Sequence, residues 1–146
     1  MSTRMKIAFG CHLLATFIVA AFAVTYLFRA EFMPYHSVAV GMPWAEVAPS
    51  FQVLILGLMK AVGGTCLAVV VLLLILLFVP FKQGLVWARW AIPAGGLVIS
   101  AGGLYAMLYV GLNTPATPPW IAPVAGALLL AAGLLLSLGQ PKAIET

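Results

Sequence analysis

Long apolar runs alternate with short polar breaks along this chain. Residues 7–28 form the first run, interrupted only by His12 and small polar groups. Residues 51–79 form the second, with Lys60 as its one charge. Residues 87–112 and 120–138 complete the pattern. Each run is close to or above the roughly 20 residues that carry a helix across a bilayer. A backbone in lipid must satisfy its own hydrogen bonds, so runs of this kind are predicted to be helices. The expected fold is an all-α integral membrane four-helix bundle, with residues 1–146 as a single transmembrane domain. The first run is full span length and ends in Tyr26, Phe28 and Arg29, as an interface would. It is therefore expected to be a retained span rather than a cleaved signal.

Residues 51–79 would extend roughly 43 Å at 1.5 Å per residue, against about 30 Å of hydrocarbon. Residues 61–79 alone suffice to cross, which puts Lys60 at the shoulder of the span. The breaks differ in character. Residues 29–50 hold Glu31, His36 and Glu46 among three prolines, and are expected to lie at the membrane surface with one short helix, Trp44 to Ala48, led by Pro43. Ser50 is a fitting N-cap for the second span. Residues 80–89 read as a tight basic turn, and residues 113–119 as an uncharged proline-rich one.

Composition narrows the function classes. The 146 residues are 64% hydrophobic and 7% charged, whereas soluble chains carry about 25% charged residues. The net charge of +4 sits on scattered residues flanking the apolar runs, which argues for orientation signals and against nucleic acid. Arg4, Lys6, Lys82, Arg89 and Lys142 fall on the terminal side of a four-span chain, and only Arg29 falls opposite. The positive-inside rule then places both termini in the cytoplasm. Cys11 and Cys66 lie in apolar runs and read as buried thiols, with no disulfide framework.

No motif for a catalytic nucleophile, a phosphate loop or a zinc site is present, so an enzyme is disfavoured, and no catalytic residue, metal or cofactor is expected. The candidate site is a polar cluster at the outer face: Glu31, His36, Glu46, Gln52 and Lys60. It reads either as a snorkelling lysine tied to Glu31 or Glu46, or as a small binding site for an anion, a metal or a lipid head group. His12 is a candidate because an ionisable group inside a span is costly. Trp44, Trp87, Trp90 and Trp120 fall at span ends, as an aromatic belt does.

Small residues recur at seven-residue spacing in the last two spans: Gly95 with Gly102, Gly96 with Gly103, and Gly126 with Gly133. This predicts a close antiparallel pair. The segments EFMPYH, MPW, FQVLILGLMK and PF…G…WARWAIP resemble those of small four-span bacterial inner-membrane proteins. That resemblance spans residues 29–120. It implies a multi-pass location in the bacterial inner membrane, and no activity.

The expected function is an interaction or accessory protein of the lipid bilayer, or a binder of lipids or other amphiphiles. A homo-oligomer or a membrane-protein partner is compatible with it. The alternative is a component of a small oligomeric transporter or channel that uses Lys60 and His12.

Overall fold

A computed structural model describes residues 1–138. The expected polar tail, with Lys142 and Glu145, lies outside the described residues. Among those described, the chain is all-α, with five α-helices: α1 Thr3–Phe28, α2 Pro34–Val40, α3 Pro49–Leu76, α4 Val86–Asn113 and α5 Ile121–Leu138. Four of them, all but α2, are long and apolar enough to span a membrane, which marks a multi-pass membrane protein.

Local chemistry sets the helix ends. The Ser2 hydroxyl accepts from the Met5 N–H at 3.4 Å and caps α1. Pro49 occupies the first turn of α3, where its missing N–H costs nothing. The helix therefore starts one residue before Ser50, and Ala48 stands in the cap position. At its far end α3 widens into a π-turn, Leu77–Phe81, around Pro80. Proline cannot donate to the α-ladder, and a π-turn keeps the helix going where the ladder breaks. The helical backbone thus passes Val79 and ends at Phe81. Gly84 then takes a left-handed φ of 83° in the turn to α4.

Two elements of residues 29–50 differ from expectation. The anticipated helix at Trp44–Ala48 is a single 3₁₀ turn, Trp44–Glu46. The α-helix of this segment is α2, which begins at Pro34 and stops at Gly41 with φ 78°. Pro34 is a helix starter here, not a breaker.

The helices pack as an up-and-down bundle. α1 lies between α3 and α5, α4 lies against α5, and α4 also meets both α3 and its π-turn. Met5, Ala8 and Ala15 of α1 join Leu73 of α3, Leu77 and Phe81 of the π-turn, Ala88 and Ile92 of α4, and Leu130 of α5 in one buried cluster. This cluster lies toward the end of the bundle that carries the N-terminus, called here the terminal end. Tyr26, Phe32, Val47 and Met59 form a second cluster at the opposite, loop end. Phe17, Leu72, Val98 and Leu128 point outward. Lipid is as apolar as these side chains, so close packing and a few hydrogen bonds must hold the helices together.

Candidate functional site

The loop end is closed by a cap built on α2. Its first turn is fixed by the Met33 N–H, which donates to His36 Nδ1 at 3.3 Å. The Ser37 hydroxyl donates to the Met42 carbonyl at 2.9 Å and folds the chain back after Gly41. His36 sits among rings, 4.3 Å from Tyr35, 6.2 Å from Phe32 and 6.4 Å from Tyr26. Phe32 is buried and meets Trp44 edge-on at 4.9 Å. Two polar ties fasten the cap to the long helices. The Tyr26 and Tyr35 hydroxyls share a hydrogen bond of 2.7 Å, and Gln52 Nε2 donates to the Trp44 carbonyl at 2.9 Å.

A hollow of about 150 Å³ opens in this cap, lined by Arg29, Glu31, Phe32, Pro34, Ser37, Pro43 and Trp44. Arg29 is its cation. Arg29 Nε donates to the Phe32 carbonyl at 3.3 Å, and Nη2 lies 3.5 Å from Glu31 Oε1. That ion pair is long and both partners are partly in solvent, so it contributes little. Burial, and after it the Arg29 charge, holds His36 below the ordinary histidine value. Burial pushes the Tyr35 phenol up, while its hydrogen bond with Tyr26 acts the other way.

The five outer-face candidates do not form one cluster. His36 and Gln52 are structural members of the cap, Glu31 stands at the rim of the hollow, and Glu46 is exposed in the 3₁₀ turn. Lys60 takes neither carboxylate as its partner. Its Nζ donates to the Leu27 carbonyl at 2.9 Å. The last carbonyls of a helix have no partner within it, and Lys60 supplies one where the helix dipole also favours a cation. Among the described residues, no three of His, Cys, Asp and Glu gather as a metal site would require.

His12 lies at the centre of the bundle, fully buried. Its ring meets Phe81 edge-on at 5.5 Å and lies flush against Gly133, where a Cβ would come within 2.6 Å of Cε1. Neither ring nitrogen has a hydrogen-bond partner. Leaving a buried polar atom unpaired costs roughly 1–3 kcal/mol, so this position is not one that packing alone selects. Three buried polar side chains belong to the same helices, and each bonds a backbone carbonyl. Thr16 donates to the His12 carbonyl at 2.8 Å, and Ser137 donates to the Leu134 carbonyl at 2.8 Å. Arg89, buried on α4, donates through Nη1 to the Ser137 carbonyl and through Nη2 to the Gly84 carbonyl, each at 3.2 Å.

The glycines divide among several contacts. α4 and α5 pair antiparallel, with Gly96 against Leu130 and Gly126 against Ser100 Oγ at 3.6 Å. Gly133 faces α1, and Gly95 faces Leu73 of α3. A Cβ on Gly102 or Gly103 would meet nothing within 4 Å. The tightest approach of α1 and α3 falls at Gly63, where a Cβ would lie 2.9 Å from both the Ala23 carbonyl oxygen and the Leu27 nitrogen. Trp44 belongs to the cap, whereas Trp87, Trp90 and Trp120 are exposed near helix ends. Cys11 and Cys66 are free thiols, Cys66 buried.

Sequence reasoning passed over three residues that matter here. Arg89 reads as one more basic flank, yet it ties α4 to α5. Gly63 lies in a Gly-Gly pair one turn from Lys60, which is the signal that could have found it. Tyr26 reads as a span end, but its hydroxyl anchors α2. Comparisons with protein-family models, curated proteins and solved structures return no match.

Proposed function

We propose that the protein is a non-enzymatic, multi-pass protein of the bacterial inner membrane that binds an anionic amphiphile in its loop-end cap, with both termini in the cytoplasm. The observation that carries this reading is the hollow beside Arg29. It places a cation and Ser37 beside the apolar Phe32, Pro34, Pro43 and Trp44. An acidic head group would displace Glu31 from its weak pairing with Arg29, and its chains would follow the apolar outer surface of the helices. Guanidinium groups suit phosphate by their planar fork of donors.

The test uses protein reconstituted in nanodiscs of phosphatidylcholine with or without phosphatidylglycerol, followed by release into mild detergent and native mass spectrometry. Wild-type protein is expected to retain phosphatidylglycerol, and Arg29→Gln to lose it. Equal retention by both forms would overturn the reading.

A second reading, a component of an oligomeric transporter or channel, draws on the burial of His12 among four helices. Copy number from the same spectra decides it: a monomer in lipid removes it, because this reading is of an oligomeric component.

A further inference from the structure

We propose that His12 is a proton-binding site inside the bundle, and that taking up the proton parts α1 from α5 at the terminal end. Independently of the cap and its ligand, the inference rests on how the ring is held. His12 is fully buried, and neither ring nitrogen is hydrogen-bonded. A neutral imidazole presents one donor and one acceptor, and an imidazolium presents two donors and a charge. The closed bundle serves neither form, and it serves the charged one worse, because an ion buried without a partner is far more costly than a neutral polar group.

Among the described residues, no carboxylate pairs with the ring. On α1 the polar neighbour is Thr16, whose hydroxyl is already committed to the His12 carbonyl. The α3 π-turn contributes the Phe81 ring, and the next residue, Lys82, is a cation whose Nζ sits 4.7 Å from the centre of the Phe78 ring. α4 contributes Arg89, another cation, bound to the Ser137 carbonyl. α5 presents Gly133 and Ser137, neither of them ionisable. Glu31 and Glu46 belong to the loop at the other end of the bundle. Among the described residues, the charges on the elements around this slot, Lys82 and Arg89, are both positive.

The slot can open in one direction. On the α5 side the ring lies against Gly133, whose missing side chain is what lets α1 and α5 close over it. Separation of these two helices admits water to both nitrogens, and it relieves the contact without breaking a hydrogen bond of the ring. The protonated state is the parted state, and lower pH favours it.

The experiment uses full-length protein in nanodiscs, in a His36→Gln background so that His12 is the one histidine. Nitrogen-15 NMR of labelled histidine reports protonation of His12 between pH 8 and pH 4. Spin labels on Ile7→Cys and Leu135→Cys, with Cys11 and Cys66 replaced by alanine, report the α1–α5 distance over the same range. The expected result is a distance distribution that moves to longer values along the His12 titration curve, and a distance that ignores pH in His12→Phe. Should His12→Phe fail to fold, His12→Leu is the control, and the NMR titration needs neither. A His12 that titrates while the distance stays fixed would overturn the proposal. So would a His12 that stays neutral throughout, or an equal distance change in the variant.

Discussion

Lys60 of α3 caps α1: its ammonium donates to the Leu27 carbonyl at 2.9 Å, one residue before α1 ends at Phe28. The bond joins residues 33 apart in sequence and ties the loop-end halves of the two helices. It also gives a cation in an apolar segment a reason to stay.

This geometry reverses the expectation of a carboxylate partner. Lys60→Met should leave the Leu27 carbonyl unpaired and cost about 1 kcal/mol, the usual scale for one hydrogen bond. Lys60→Arg should recover most of that, while Glu31→Ala and Glu46→Ala should leave the melting temperature in detergent unchanged. A melting temperature that falls with either glutamate variant but not with Lys60→Met would restore the carboxylate pairing.

Gly63 makes the same seam tight. An added methyl group would meet backbone atoms at 2.9 Å, and backbone cannot swing aside as a side chain can. Gly63→Ala should destabilise by about 1–3 kcal/mol, the range for overpacking a close contact. Gly102→Ala, which meets open space, should be neutral or slightly stabilising through its better helix propensity. Thermal unfolding of the two variants in one detergent separates them, and equal melting temperatures would mean that α1 and α3 do not rely on this approach.

The spans were legible because run length and hydropathy are local properties of the chain. What escaped depends on partners far away in sequence. Backbone carbonyls at a helix end have no side-chain signature, so nothing near Lys60 names Leu27 as its acceptor. His12 stands out as a polar group in an apolar run, but its slot exists only because α5 brings Gly133 to it from 121 residues along the chain. Pro34 misleads in the opposite way. Among three prolines it looks like a loop residue, and only the turn that follows makes it the start of α2. The seven-residue glycine pattern is a property of α4 and α5 as isolated helices; which neighbour each glycine meets is set by how α1 and α3 lie across them.

The shared hydroxyl bond of Tyr26 and Tyr35 should control how firmly α2 is held. Tyr35→Phe leaves the ring contacts with His36 in place and removes the bond, so the cap should loosen while the four long helices stay packed. Hydrogen exchange of residues 33–42 is expected to quicken several-fold, since about 1 kcal/mol corresponds to roughly a factor of five in an opening equilibrium. Exchange that quickens equally in α1 and α5 would show that the cap and the bundle open as one unit.

His36 makes cap docking sensitive to pH, and the sign follows from its environment. Burial first, and the Arg29 charge second, lower its proton affinity in the docked cap below the ordinary value of 6.5. The undocked cap, with His36 in water, keeps that value. As pH falls through 6.5 the undocked form binds the proton first, so docking weakens with falling pH until the docked histidine is protonated as well. Docking is at full strength above pH 6.5. Protonation also removes Nδ1 as an acceptor for the Met33 N–H, so the start of α2 loosens in the same step. Hydrogen exchange of residues 33–42 should therefore quicken between pH 7 and pH 5, after correction for the intrinsic rate, and His36→Gln should abolish that dependence. Arg29→Gln removes the second cause, so it should make the change smaller and bring it to its end at higher pH, because a histidine that binds its proton more readily in the docked cap loses less docking energy. An unchanged pH profile in His36→Gln would assign the sensitivity to another group, leaving His36 as a packing residue.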